Sequence, residues 1–229
     1  MSKKIAVLLS GSGVYDGTEI QEAVFTLLAI AQNGGEAHCF APDVDQHHVI
    51  NHLTGDEMDE KRNVLIESAR IARGEVKAVT EANIDEFDAL AIPGGFGTAK
   101  NHTKWAFKGP EGEINQDVKT FIAAFYKAKK PIAALCMGPT TLAKALEGTG
   151  ESLSLTVGTT EEDSPYDIQG ISQGMEATGA TAVMKSIREV EVDAKNKIVT
   201  APCYMMEASI TEVHDNAQAA VKELFSLLG

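Results

Sequence analysis

Cys136 ends the apolar run Pro131-Ile132-Ala133-Ala134-Leu135 and is followed by Met137-Gly138-Pro139-Thr140. The β-forming residues before it, and the helical spacing of Leu142, Ala143, Ala145 and Leu146 after it, leave a tight turn for the cysteine. Such a strand-to-helix elbow lifts a nucleophile out of a sheet. It also aims the first N–H groups of the helix at the sulfur, which favours a thiolate and any oxyanion beside it. The plainer use of the same residue is a small apolar side chain in the core. Two glutamates, Glu19 and Glu22, stand three residues apart and share one face of a first helical turn. A carboxyl group that touches a thiolate must be protonated to donate to it, and burial raises its pKa. Compensation of the helix dipole at the surface competes with this reading, more strongly for Glu19 than for Glu22.

These groups need strands that end together. The run Ile5–Leu9 reads as a strand buried on both faces and leads into the glycine-rich turn Ser10-Gly11-Ser12-Gly13-Val14-Tyr15-Asp16-Gly17. Asp88–Ile92 is a second such strand and ends in Pro93-Gly94-Gly95-Phe96-Gly97. Glycines directly after a strand let the backbone approach a ligand, so the amides of this turn are candidates for an oxyanion site. Thr18 is placed to cap a helix over Glu19–Gln32 with Ile20, Ala23, Val24, Leu27 and Leu28 inward. Further strands are expected at Ala37–Ala41, Glu75–Val79 and Leu153–Val157, and a hairpin at Arg188–Val192 and Lys197–Ala201. Helices are expected over 59–72, 115–129, 166–179 and 204–228, with an irregular segment, Thr98–Gly112, long enough to cover a pocket. Strands alternating with helices imply an α/β fold with a mostly parallel sheet and ligands at its C-terminal edge.

A net charge of −13, from twenty basic against thirty-three acidic residues, disfavours a nucleic-acid backbone or an anionic membrane as partner. Cys39, Cys136 and Cys203 lack zinc or disulfide spacing, which points to a reducing cytoplasm. The apolar run near the N-terminus is shorter than a signal or membrane segment. His47, His48 and His52 have no acidic or thiol companion on a shared face, so they read as loop residues rather than metal ligands. The first loop has the spacing G-x-G-x-x-x-G, one residue too long for a dinucleotide fingerprint. Cys203 reads as an ordinary helix-start residue, with a second redox thiol as the alternative.

Gly17-Thr18-Glu19-Ile20-Gln21-Glu22, Ile92-Pro93-Gly94-Gly95 and Ala134-Leu135-Cys136-Met137-Gly138-Pro139 together resemble the PfpI/ThiJ superfamily, which has the class I glutamine amidotransferase-like fold. Ser10–Gly17, Val49-Ile50-Asn51-His52-Leu53-Thr54-Gly55 and Pro93-Gly94-Gly95-Phe96-Gly97-Thr98-Ala99-Lys100-Asn101 resemble its ElbB subfamily. The resemblance implies one domain over residues 1–229, a flavodoxin-like three-layer sandwich and usually a homodimer. It also implies Cys136 as nucleophile, Glu22 as its acid/base, and the Gly95 and Met137 amides as an oxyanion site, with Gly94 and Glu19 beside them. Members of the subfamily are labelled as glyoxalases and as factors affecting isoprenoid production, the second a phenotype rather than a chemistry.

Two positions depart from the hydrolases of the superfamily. Met137 follows the cysteine where the PfpI proteases have a histidine, and Val157-Gly158-Thr159-Thr160 stands where relatives place a downstream one. Only His102 or His214 remains to complete a triad through the fold. Aldehyde chemistry needs no such base. The expected activity is a cofactor-free conversion of small 2-oxoaldehydes such as methylglyoxal to 2-hydroxy acids, without metal or glutathione. The alternative is a redox sensor or metabolite-binding protein in which Cys136 is oxidised without turnover.

Overall fold

Short apolar runs bounded by turn residues make the sheet, and amphipathic runs make its cover. The computed structural model describes residues 2–228. In chain order the elements are β1 (Lys3–Leu8), α1 (Ile20–Gln32), β2 (Gly35–Ala41), α2 (Val64–Ile71), β3 (Val76–Ala78), β4 (Ala89–Ile92), α3 (Trp105–Lys108) and α4 (Gln116–Lys127). They continue with β5 (Ile132–Leu135), α5 (Gly138–Leu146), β6 (Ser154–Leu155), α6 (Ile168–Ala177), β7 (Thr181–Ala182), β8 (Glu191–Asp193), β9 (Ile198–Ala201) and α7 (Ile210–Ser226). The central sheet runs β3-β2-β1-β4-β5-β9-β8, parallel throughout except for the edge strand β8. Every residue of β4, β5 and β9 is buried, as a sheet covered on both faces requires. This is the expected flavodoxin-like three-layer α/β fold.

The strand order explains where the chemistry collects. From β1 the chain winds out through β2 to β3, then crosses back to place β4, β5 and β9 on the other side of β1. Such a reversal opens a crevice at the C-terminal strand ends. The turn Ser10–Gly17, the turn Pro93–Gly97 and Cys136 follow β1, β4 and β5, so all three lie at this point.

Several local expectations are corrected. Glu19, not Thr18, caps α1 by accepting the Glu22 N–H at 2.6 Å, and Thr18 Oγ1 instead accepts the Ser10 N–H at 2.7 Å. The inward face of α1 is Glu22, Ala23, Thr26, Ala29 and Ile30, whereas Ile20, Val24 and Leu28 are 47%, 45% and 41% exposed. Close packing of α1 on α7, itself lined by Ala217 and Ala220, selects the stripe of smaller residues over the larger apolar one. Helix α2 starts only at Val64, capped by Asn63, because the chain before it is held in irregular bridges. Only Ser154–Leu155 of the expected 153–157 strand forms, and it pairs with β7 outside the main sheet. Residues 98–112, expected to be irregular, fold into short helical turns that bury His102 and Trp105. The terminal helix begins at Ile210 behind a Ser209/Glu212 capping box, and Cys203–Met205 forms a separate turn. The hairpin of β8 and β9 forms as expected.

Candidate active site

Cys136 sits one residue beyond β5 with its N–H still donating to Ala201 O of β9 at 2.9 Å, and with φ at 56°. A left-handed non-glycine residue costs about 1–3 kcal/mol, a strain that such elbows carry at reactive positions. The thiol is buried, and the N–H groups of Gly95 and Met137 point at it. Gly138 is required just after it, because a Cβ there would stand 2.8 Å from Ile92 O.

Glu22 reaches the thiol from the first turn of α1 and has no solvent exposure. Its Oε1 accepts the Tyr204 N–H at 3.0 Å, and its Oε2 faces the thiol and finds no other side-chain partner. Gly94 makes this approach possible. A Cβ at that position would overlap the Cys136 Cβ and stand 2.6 Å from Glu22 Oε2 and 2.7 Å from Cys136 Sγ. The turn is locked to α1 by Glu19 N–H donating to Gly94 O at 3.0 Å.

Burial, and then the neighbouring Glu19 carboxylate, push the Glu22 carboxyl up to about 8. Burial and the charge of Glu22 push the Cys136 thiol up, while the Gly95 and Met137 amides pull it down. Two negative charges cannot share this dry space at neutral pH, so the pair keeps at least one proton there and titrates as a unit. The two amides favour sulfur as the seat of the charge once the pair has lost a proton. Glu19 is itself shifted up by burial, against the pull of the α1 amides.

The subfamily-like motifs are scaffolding for this arrangement. Asn101 Nδ2 donates to Ser10 O and Asp16 O at 2.9 and 2.8 Å, and its Oδ1 accepts the His47 N–H at 2.9 Å. Asp16 Oδ2 accepts the Ile50 N–H at 2.7 Å, and Gly97 N–H donates to Gly17 O at 2.8 Å. Three loops distant in sequence thereby become one layer under the site.

A cleft of about 340 Å³ lies beside the pair, lined by Tyr15, Glu19, Gln21, Tyr166, Tyr204 and Met206 among others. Burial, then the charges of Cys136 and Glu22, push the Tyr166 hydroxyl up to about 12, which places that phenol within electrostatic reach of both groups. The sequence marks Tyr166 and Tyr204 only as expected helix starts, and no local pattern separates them from other tyrosines. Cys203 does lie at the same edge, and it starts the short 3-10 turn Cys203–Met205 rather than the terminal helix. It is buried with φ at 47°, its N–H donates to Asn216 Oδ1 at 2.9 Å, and its turn presents the Tyr204 amide to Glu22.

No histidine contacts Cys136 among the described residues. His102 is buried with Nε2 on Leu9 O at 3.0 Å, and burial pulls it down to about 4; His214 pairs with Asp215 at the surface. His47 and His48 stack with Phe107, and His52 Nε2 accepts the Tyr15 N–H. Amide hydrolysis therefore lacks the histidine that would deliver a proton to the leaving amine. No group of three or more potential metal ligands gathers among the described residues.

A cysteine elbow set against a buried glutamate at the switch point of a flavodoxin-like sheet marks the class of α/β protein to which the chain belongs. The chain belongs to the DJ-1/PfpI family, whose model matches residues 3–207. It is 42% identical over 228 residues to the mitochondrial ES1 protein homolog of Rattus norvegicus, covering 99% of this chain and 84% of that one. It is 41% identical, with the same coverage, to the human protein named glutamine amidotransferase-like class 1 domain-containing protein 3, mitochondrial. A crystal structure of an isoprenoid biosynthesis protein with amidotransferase-like domain, from Ehrlichia chaffeensis, superposes with a TM-score of 0.90 at 32% identity over 100% of both chains. Drosophila melanogaster DJ-1beta, at 16% identity and a TM-score of 0.53 over 99% of this chain and 96% of that one, shares the fold.

Proposed function

We propose that this protein is a cofactor-independent glyoxalase-like enzyme acting on small 2-oxoaldehydes, with Cys136 as nucleophile and Glu22 as acid/base. The observation that carries the reading is the buried Glu22 carboxyl set against the Cys136 thiol across Gly94, with the Gly95 and Met137 amides on the sulfur and no histidine hydrogen-bonded to it among the described residues. The thiolate adds to the aldehyde carbon, the carbonyl π pair moves to oxygen, and that oxygen takes the Glu22 proton to give a hemithioacetal. Glu22, now ionised, removes the proton from the same carbon, and the electron pair passes to the neighbouring ketone oxygen as an enediolate. Glu22 returns this proton to the second carbon while the first hydroxyl proton passes to the second oxygen, leaving a thioester of a 2-hydroxy acid. Water then attacks the acyl carbon, gives one proton to Glu22 and releases sulfur as thiolate, which restores the starting pair. The Gly95 and Met137 amides support the oxyanions of the addition and hydrolysis steps.

The direct test is lactate formation from methylglyoxal by wild-type and Cys136→Ala protein. Turnover by the wild type and its loss in Cys136→Ala is the expected result; equal lactate from both overturns the assignment. A wild type that shows no turnover, yet is selectively oxidised at Cys136 by peroxide, would favour the sensor reading instead.

The same proposal takes a second copy of this chain as partner. Its support is the resemblance to homodimeric proteins and the exposed apolar stripe Ile20, Val24 and Leu28 on α1, beside the cleft. Val24→Glu is expected to convert a dimer to monomer in light scattering, and a wild-type monomer would remove the proposal. A reducing compartment suits the three free cysteines. The cytoplasm is the one we propose, although the rat and human relatives are named as mitochondrial. No helix among the described residues is long and apolar enough to cross a membrane.

A further inference from the structure

A sizeable cavity lies at the end of the sheet away from Cys136. It has a volume of about 610 Å³ and opens between α4, the end of α5 and the β8–β9 hairpin. Its apolar floor is Ala123, Leu146 and Tyr126, whose hydroxyl donates to Asn196 Oδ1 at 3.0 Å. Four lysines line it, Lys127, Lys129, Lys195 and Lys197, against a single carboxylate, Glu151, which pairs with Lys195 at 2.6 Å. Among the described residues the other three ammonium groups have no carboxylate partner. In a chain of net charge −13 this is a local reversal of sign.

The backbone adds an independent observation. Lys129, just past α4, and Lys197, at the hairpin turn, have φ of 55° and 56°. Helix C-termini and tight hairpins normally fill such left-handed positions with glycine or asparagine. Here both carry a lysine, at two places that face one cavity, so each cation is kept in a conformation that glycine would adopt without strain.

We propose that this cavity binds a small amphiphilic phosphomonoester, with the hydrocarbon body on Ala123, Leu146 and the Tyr126 ring and the doubly charged head among Lys127, Lys129 and Lys197. Point-charge ammonium groups suit a phosphate, and three unpaired cations suit a dianion better than a carboxylate. The site is separate from the thiol chemistry and stands whether or not the glyoxalase reading does.

The probe is octyl phosphate, kept monomeric and titrated into the full chain by calorimetry at low and high ionic strength, with inorganic phosphate and octanol as half-ligands. Octyl phosphate is expected to bind more tightly than either half and to weaken with salt. The double substitution K129G/K197G is expected to weaken it by about tenfold. Glycine suits both backbone positions, so this variant should melt no lower than the wild type, which separates lost binding from lost folding. The proposal is overturned by no binding of octyl phosphate, by octanol binding as tightly, by unchanged affinity in K129G/K197G, or by capture on phosphatidylglycerol vesicles without binding of the monomeric probe.

Discussion

Glu22→Gln is expected to lower kcat/KM for methylglyoxal by roughly 10²–10⁴-fold, the range that a positioned acid/base contributes. Glutamine keeps the shape and can still accept the Tyr204 N–H, but it can neither give a proton to the first alkoxide nor take one from carbon. The pair gives up its first proton near 8, which forms the thiolate-and-carboxyl state that the addition step uses, so the wild-type rate should rise as pH approaches 8, and the Gln variant should lack that limb. Stability carries the same signature. The folded carboxyl, at about 8, lies above its ordinary value of 4.5, so between these values the folded chain binds the extra proton and loses stability as pH rises. Urea midpoints at pH 5 and pH 9 should therefore diverge in the wild type by the equivalent of a few kcal/mol more than in Glu22→Gln. A Gln variant with wild-type turnover and the same pH dependence would remove Glu22 from the chemistry.

Gly94→Ala is expected to be as damaging although it adds one methyl group. That methyl would occupy the space where Cys136 Cβ, Cys136 Sγ and Glu22 Oε2 meet, and none of the three is the free end of a mobile surface side chain. The elbow is held by the Cys136 amide on Ala201, and the carboxylate by the Tyr204 amide, so one of these bonds must give. Overpacking of this kind costs about 1–3 kcal/mol, and separating the pair should reduce turnover at least about 100-fold. Thermal melting and alkylation of Cys136 by iodoacetamide measure the two effects separately. A folded Gly94→Ala protein with wild-type turnover would mean that the close approach of thiol and carboxyl is not needed.

Much of this organisation is legible in the chain, for identifiable reasons. Fully buried parallel strands must be continuous apolar runs, so β1, β4 and β5 stand out as Ile5–Leu9, Asp88–Ile92 and Pro131–Leu135. Turns directly after them need glycine or a cysteine elbow, so the three loops of the site are visible as well. Less legible is which side of a helix packs inward. In α1 the stripe Ile20, Val24 and Leu28 is the more hydrophobic, yet the core takes Ala23, Thr26 and Ala29, because the separation of α1 from α7 is set by the partner helix. The same limit hid Tyr166 and Tyr204, whose place beside the thiol depends on the chain returning to Glu22 from residues more than 140 positions away.

The sequence by itself determined the alternating α/β architecture, the cysteine elbow and the glycine turns, because periodicity and turn chemistry act over a few residues; Glu22 as the partner of Cys136 was legible only through the family resemblance, since 114 positions separate the two. The tertiary structure alone decided that no histidine hydrogen-bonds the sulfur among the described residues, that the turn at Cys203 brings the Tyr204 amide onto Glu22, and that thiol and carboxyl meet in a dry site. Those outcomes depend on distances and desolvation between groups far apart in the chain, which no local pattern encodes.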